Sequence, residues 1–227
     1  MLVHALLLAL ALLSACAPIR GSALRSPEPS PAPEPAGSAT PVVQPQLPCI
    51  TDPMIDVWEY RLREGRRFRG HTDHIITRAT PYLPRIREIL AEAELPASLA
   101  LLPAIESSFN PRVCGYRDSC GLWQLRAKTA RRFGLVVRRS RDERNDPERA
   151  TLAAARYLRF LYQRYGDWPL ALAAYNAGEG RIDRALRRKP GATFWELARS
   201  RHLPRTSCNY VPRFLALLRV VEPDSTC

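Results

Sequence analysis

The sharpest chemical oddity of the chain is Glu106, which follows the almost wholly apolar run LALLPAI at 99–105 and precedes Ser107-Ser108-Phe109. A carboxylate at the end of a buried helix is costly unless it is paired or put to use. Burial raises its pKa, and a carboxyl group still protonated near neutral pH is a general acid. Taken alone, Glu106 also reads as a solvated helix-end side chain that faces outward. Two further polar islands stand in apolar sequence. In Gly121-Leu122-Trp123-Gln124 the glycine permits tight approach, the tryptophan suits a core or a sugar platform, and the amide can bind a sugar oxygen. Tyr175-Asn176-Ala177-Gly178-Glu179-Gly180 breaks a strong helix with two glycines, which is unfavourable unless the turn is needed. Singly, each island reads more readily as a core aromatic plus a helix cap. Asp142, Glu143 and Asp146 lie in a highly charged loop that in isolation reads as solvated surface.

The elements that must position these groups are helical. No repeat and no long alternating strand pattern is present. Ile55, Trp58 and Leu62 fall on one face of a less clear segment at 52–82. Ile86, Ile89, Leu90 and Ala93 mark a helix from Pro84 to about Glu94. Pro96 opens the next, with Leu99, Leu102 and Ile105 inward, and Asn110-Pro111 ends it. Leu122 to Phe133 holds a short helix stopped by Gly134. The clearest helix starts at Pro147, carries the stripe Thr151, Ala154, Leu158, Leu161, Tyr162 and Tyr165, and closes at Gly166. Pro169 starts another that Gly178 stops. Ile182, Ala185 and Leu186 mark one more, and the last runs from about Tyr210 to Val220. The expectation is a compact all-α domain with short connections.

Composition sets the frame. The 227 residues are 46% apolar and 25% charged, with 21 prolines, which excludes a collagen, a pure coiled coil and a multi-pass membrane protein. The net charge of +12 is almost entirely arginine, since Lys128 and Lys189 are the only lysines. Such a balance implies an anionic neighbour and does not choose among nucleic acid, an acidic polymer and a membrane surface. Residues 2–13, LVHALLLALALL, suit the apolar part of a secretory signal and are short for a membrane span. Leu13-Ser14-Ala15-Cys16 then resembles the lipobox of bacterial lipoproteins. That resemblance implies a signal peptide at 1–15 and a lipidated Cys16, with Ala17 favouring the outer membrane. The nine prolines in 18–48 read as an extended tether, so residues 16–50 join the lipid to a folded domain at 51–227. Export permits disulfides. Cys114 and Cys120 suit a small loop staple, and Cys208 can pair with Cys49 or Cys227. Five cysteines beyond Cys16 leave one over. No CxxC occurs and nothing completes a ligand set around His71 and His74, so neither a metal nor a cofactor is expected.

In combination the islands are recognisable. LLPAIESSFNP at 101–111, GLWQ at 121–124, DER at 142–144 and ALAAYNAGEGR at 171–181 resemble lytic transglycosylases of the membrane-bound D type. A looser match in TSCNYVPRFLA at 206–216 extends it. The resemblance implies a goose-type lysozyme-like fold. It also implies cleavage of the MurNAc-β-1,4-GlcNAc bond of peptidoglycan without water, leaving 1,6-anhydroMurNAc ends. Glu106 matches the single catalytic glutamate, and Ser107 the serine that helps place the muramoyl sugar. Gln124, Tyr175 and Asn176 match residues that line the cleft, and Tyr210 matches a tyrosine that faces the glutamate. Glu143, in DER, is assigned a structural role.

That implied chemistry uses Glu106 twice, as acid to the glycosidic oxygen and then as base to the C6 hydroxyl, with the muramoyl N-acetyl carbonyl attacking C1 in between. A lysozyme-type hydrolase would instead need a second carboxylate, for which Asp118, Asp142 and Glu179 are the nearby candidates. A non-catalytic peptidoglycan-binding lipoprotein is the reading from another class. The chain departs from the family at Gln124-Leu125-Arg126-Ala127, where Gln-Phe-Met-Pro is common. Arg126 thus puts a charge where an apolar contact is usual, one able to meet a peptide-stem carboxylate. No LysM-like repeat follows, so the expectation is a catalytic domain alone. The expected partners are glycan strands and, through the lipid, a membrane. Nucleic acid is not expected, and the protein is taken as a periplasmic monomer.

Overall fold

A computed structural model describes residues 45–65, 70–115 and 117–223, all within one compact unit. The expected signal peptide at 1–15, the expected lipidation site Cys16, the part of the expected tether up to residue 44, and Cys227 lie outside the described residues. Helix α1 (Pro53–Glu64) is set by Asp52, whose side chain accepts from the Met54 N–H at 3.0 Å, with Pro53 preorganising the first turn. Then follow α2 (His71–Ala79) and α3 (Leu83–Glu92), the latter burying Ile86, Ile89 and Leu90 as their spacing predicts.

The helix expected after Pro96 is two pieces. A 3-10 turn at Ala97–Leu101 leads into the short α4 (Leu102–Glu106). Pro103 lacks the N–H that a continuous α-helix would need there. Beyond it, the stretch expected to be one helix begins as a small hairpin. Strand β1 (Ser119–Cys120) pairs antiparallel with β2 (Leu125–Arg126), with Ser119 opposite Arg126 and Cys120 opposite Leu125. Only then comes α5 (Ala127–Arg132), followed by a second two-residue hairpin, β3 (Val137–Arg138) with β4 (Arg141–Asp142).

The long helix α6 (Pro147–Tyr165) has the boundaries its sequence predicts. Asp146 accepts from the N–H groups of Glu148 and Arg149, both at 3.0 Å, and Gly166 ends the helix in the left-handed region at φ 62°. Tyr162, expected in the buried stripe, is 39% exposed and instead stacks on Trp168 with ring centroids 4.4 Å apart. Helix α7 (Trp168–Ala177) is apolar all round and packs against α6, against α8 (Glu179–Arg188) and against the last helix, α10 (Arg205–Val221). Alanines at 171, 173, 174 and 177 leave room for these close neighbours. Between α8 and α10 lies α9 (Phe194–Arg199), which the sequence reading did not foresee. It opens on a reciprocal cap between Thr193 and Glu196. Among the described residues, Trp123, Phe109, Phe194 and Phe214 are the largest side chains fully buried in the core. The protein is predominantly α-helical, a compact lysozyme-like domain.

Candidate active site

The chain places Glu106 by stopping α4 on it. The N–H groups of Ser107 and Phe109 both return to the carbonyl of Pro103, at 3.0 and 3.1 Å. Ser108 and Phe109 take left-handed backbone at φ 52° and 55°, each a cost of about 1–3 kcal/mol for a residue with a side chain. Phe109 anchors that strained turn by burying its ring completely, parallel to Tyr82. The Ser107 hydroxyl donates to the Leu122 carbonyl at 2.8 Å and so ties the end of α4 to the GLWQ segment.

Glu106 opens onto a cleft of about 420 Å³ lined also by Ser119, Gln124, Arg126, Tyr175 and Asn176. The Tyr210 hydroxyl donates to Glu106 Oε1 at 2.5 Å. Burial pushes the Glu106 carboxyl up to about 7, although the Tyr210 hydrogen bond and the charge of Arg213 pull it down. Burial and the neighbouring Glu106 charge hold both Tyr210 and Tyr175 well above the ordinary phenol range, so both stay protonated donors. Arg213 lies three residues beyond Tyr210 on α10. Its Nε is buried without a hydrogen-bond partner, and burial lowers the pKa of its guanidinium. Sequence reasoning missed Arg213, because a lone arginine in an amphipathic helix carries no signal of its own.

The other expected site residues are braced as well as exposed to the cleft. The Gln124 amide donates to the carbonyls of Val113 and Gly121, each at 2.9 Å, and its Oε1 accepts from Ser119 at 2.9 Å. Tyr175 donates its hydroxyl to the Trp123 carbonyl at 2.7 Å. Asn176 Oδ1 accepts from the Ser207 hydroxyl at 3.0 Å, which links α7 to α10. Cys114 and Cys120 are joined by a disulfide that ties the loop before β1 to the turn end of that strand. Cys49 is also disulfide-bonded, whereas Cys208 is a free thiol that donates to the carbonyls of Ala198 and Leu203. The pairing of Cys208 with Cys49 or Cys227 is therefore corrected. Its sulfur is instead engaged with backbone between α9 and α10.

In the charged loop at 142–146, Asn145 and Asp146 are exposed as expected, whereas Glu143 and Arg144 are not part of a solvated surface. Glu143 and Arg144 are 5% and 3% exposed. Glu143 accepts from the Val136 N–H at 2.7 Å and pairs with Arg141 and Arg149. Arg144 forks onto Asp142, pairs with Asp118 Oδ1 at 3.1 Å, and donates to the carbonyls of Asp118 and Leu125. It thereby ties the residue just before β1 to β2. Gly121 makes that clamp possible, since a Cβ there would lie 1.8 Å from the Arg144 carbonyl oxygen. The three carboxylates weighed as a second catalytic group are all committed. Asp142 and Asp118 hold Arg144, and Glu179 accepts from Arg132 at 2.8 Å and Tyr157 at 3.1 Å. Among the described residues no group of three or more His, Cys, Asp or Glu side chains could hold a metal ion.

Residues 86–198 match the sequence model of the transglycosylase SLT domain. Over 171 residues the chain is 34% identical to membrane-bound lytic murein transglycosylase D of Escherichia coli strain K12, a match spanning 71% of this chain and 37% of that protein. It is 41% identical over 110 residues to a putative tributyltin chloride resistance protein of an Alteromonas species, strain M-1, covering 48% of this chain and 53% of that one. The chain thus spans about a third to a half of these relatives' length. Its fold is similar to that of the 70 kDa soluble lytic transglycosylase of Escherichia coli, with a TM-score of 0.55 and 25% identity over 63% of this chain and 25% of that one.

Proposed function

Because the chain belongs to the family of lytic murein transglycosylases that carry the SLT domain, we propose that it cleaves the MurNAc-β-1,4-GlcNAc bond of peptidoglycan without water, with Glu106 as acid and then base. The observation that carries the reading is a single carboxyl group, raised to about 7 by burial, at a cleft whose other carboxylate, Glu179, is tied up by Arg132 and Tyr157. Protonated Glu106 gives its proton to the glycosidic oxygen as the C1–O bond breaks. The developing positive charge at C1 is taken up by the N-acetyl carbonyl oxygen of the same muramoyl unit. Glu106 is now a carboxylate. Tyr210, whose hydroxyl stays protonated, keeps donating to it and steadies that form. The carboxylate then takes the proton from the C6 hydroxyl, whose oxygen closes on C1 and displaces the carbonyl. The product is a 1,6-anhydro end, and Glu106 is protonated again.

In this reading Tyr175 and Asn176 on α7 and Gln124 on the hairpin orient the strand, and their bracing keeps the cleft in shape between turnovers. Ser107 helps place the muramoyl sugar from its position beside Glu106. Lipidation at Cys16 would tether the domain of residues 51–227 in the periplasm, at the inner face of the outer membrane and within reach of the wall. The test is digestion of purified sacculi in 18O-labelled water, followed by mass spectrometry of the released muropeptides. Anhydro ends free of the label support the reading. Labelled reducing ends would make the protein a hydrolase, and no release would make it a binder.

A further inference from the structure

We propose that the cleft carries, beside its sugar-binding face, a cationic subsite formed by Arg126 and Lys128 that binds the free carboxylates of the muramoyl stem peptide. The proposal deepens the peptidoglycan reading and rests on it. One wall of the cleft presents three cations, Arg126, Lys128 and Arg132. The acid facing them, Glu179, is already bound by Arg132 at 2.8 Å. Among the described residues, neither Arg126 nor Lys128 has a hydrogen-bond or ion-pair partner for its side chain. Two like charges left unpaired on one wall repel each other and favour an anion between or above them.

Their backbone is held in place. Arg126 is the end residue of β2, opposite Ser119, in the hairpin that the Cys114–Cys120 disulfide, the Gln124 amide and the Arg144 clamp secure. Lys128 follows in the first turn of α5. Both side chains are exposed, so they are free to reach a ligand at the rim. The cation that acts on Glu106 is Arg213 on α10, which is not among the residues lining the cleft. The rim pair is therefore suited to substrate binding rather than to tuning the acid.

The chemistry of the ligand follows from what a glycan strand lacks. Its hydroxyl and acetamide groups are neutral and ask for neutral donors and acceptors. Its anionic groups lie on the peptide that leaves the lactyl ether at C3 of the muramoyl unit, next to the bond that is cut. A guanidinium fork grips a carboxylate through two hydrogen bonds, and an ammonium adds a mobile point charge. An apolar residue at position 126 would recognise sugar alone, so this wall shifts recognition from bare glycan to peptide-bearing glycan.

The experiment compares kcat/KM on glycan strands with stem peptides intact and on the same strands with their stem-peptide carboxylates converted to primary amides by carbodiimide and ammonia, since an amidase would leave a lactyl carboxylate beside the bond that is cut. The wild type is expected to prefer the intact strands about tenfold, chiefly through KM, and to lose that preference as salt is raised. In the R126A/K128A variant the ratio falls towards one. A ratio near one in the wild type, or an unchanged ratio in the variant, overturns the subsite. Labelled reducing ends, or no cleavage of either strand, would instead sink the parent reading and the subsite with it.

Discussion

Tyr210 on α10 and Glu106 at the end of α4, 104 residues apart in sequence, share a 2.5 Å hydrogen bond in which the phenol donates to the carboxyl. Burial favours the protonated acid, while the phenol and the nearby Arg213 favour the carboxylate. The balance at about 7 lets one group both lose and regain a proton near neutral pH. A carboxyl group with burial alone would be a poor base, and one with the hydrogen bond alone would be a poor acid.

Removing the phenol tips that balance. Tyr210→Phe is expected to lower kcat about tenfold or more and to move the alkaline limb of the kcat/KM profile upward, because a contact that favours the ionised form is lost. A full pH–rate profile of the variant checks both. An unmoved limb would mean that the hydrogen bond does not reach the reacting carboxyl.

Arg213 acts through charge. Arg213→Met is expected to move the same limb upward, whereas Arg213→Lys keeps it close to the wild-type position. The methionine variant also relieves a buried Nε that has no partner, so its melting temperature should hold or rise. Paired pH profiles and thermal melts separate the two effects.

The raised acid has a linked effect on stability. Its folded-state pKa, about 7, lies above the ordinary 4.5, so its favourable contribution is full below about 4.5 and is lost as pH rises through 7. Glu106→Gln removes the ionisation. It should therefore be more stable than the wild type at about pH 8, by roughly 1–3 kcal/mol, with the gap closing towards pH 5. Urea melts at the two pH values measure it.

The Gly121–Arg144 contact sets the hairpin. Gly121→Ala must push the Arg144 carbonyl away and also adopt φ 82°, so a loss of about 3 kcal/mol or more is expected. Arg144→Ala should cost a similar amount by stranding Asp142 and two backbone carbonyls. Denaturation curves read both losses.

What the sequence made legible follows from how local each signal is. Pro147 and Gly166 mark the ends of α6 because a preorganised first turn and left-handed termination are properties of single residues, whereas the Asp146 cap was read as loop surface. The periodic stripe of α3 names its buried face for the same reason. The hairpin at 119–126 left no pattern, because two-residue strands have no period to read, and its stability comes from a disulfide and from Arg144 across the loop. Burial of Glu143 and Arg144 was hidden by their charge, since polarity reads as solvation until the partner groups are known. Glu106 was visible as a carboxylate ending an apolar run. Its partner Arg213 was not, because nothing local distinguishes it from the other arginines of a strongly basic chain.

The central claim, that one carboxyl group at position 106 carries both proton transfers, is tested most directly by Glu106→Gln on purified sacculi, with released muropeptides read by mass spectrometry beside a sedimentation assay of sacculus binding. The account predicts that the amide variant still binds sacculi and releases no anhydro-muropeptides above background. Release at the wild-type rate would contradict it.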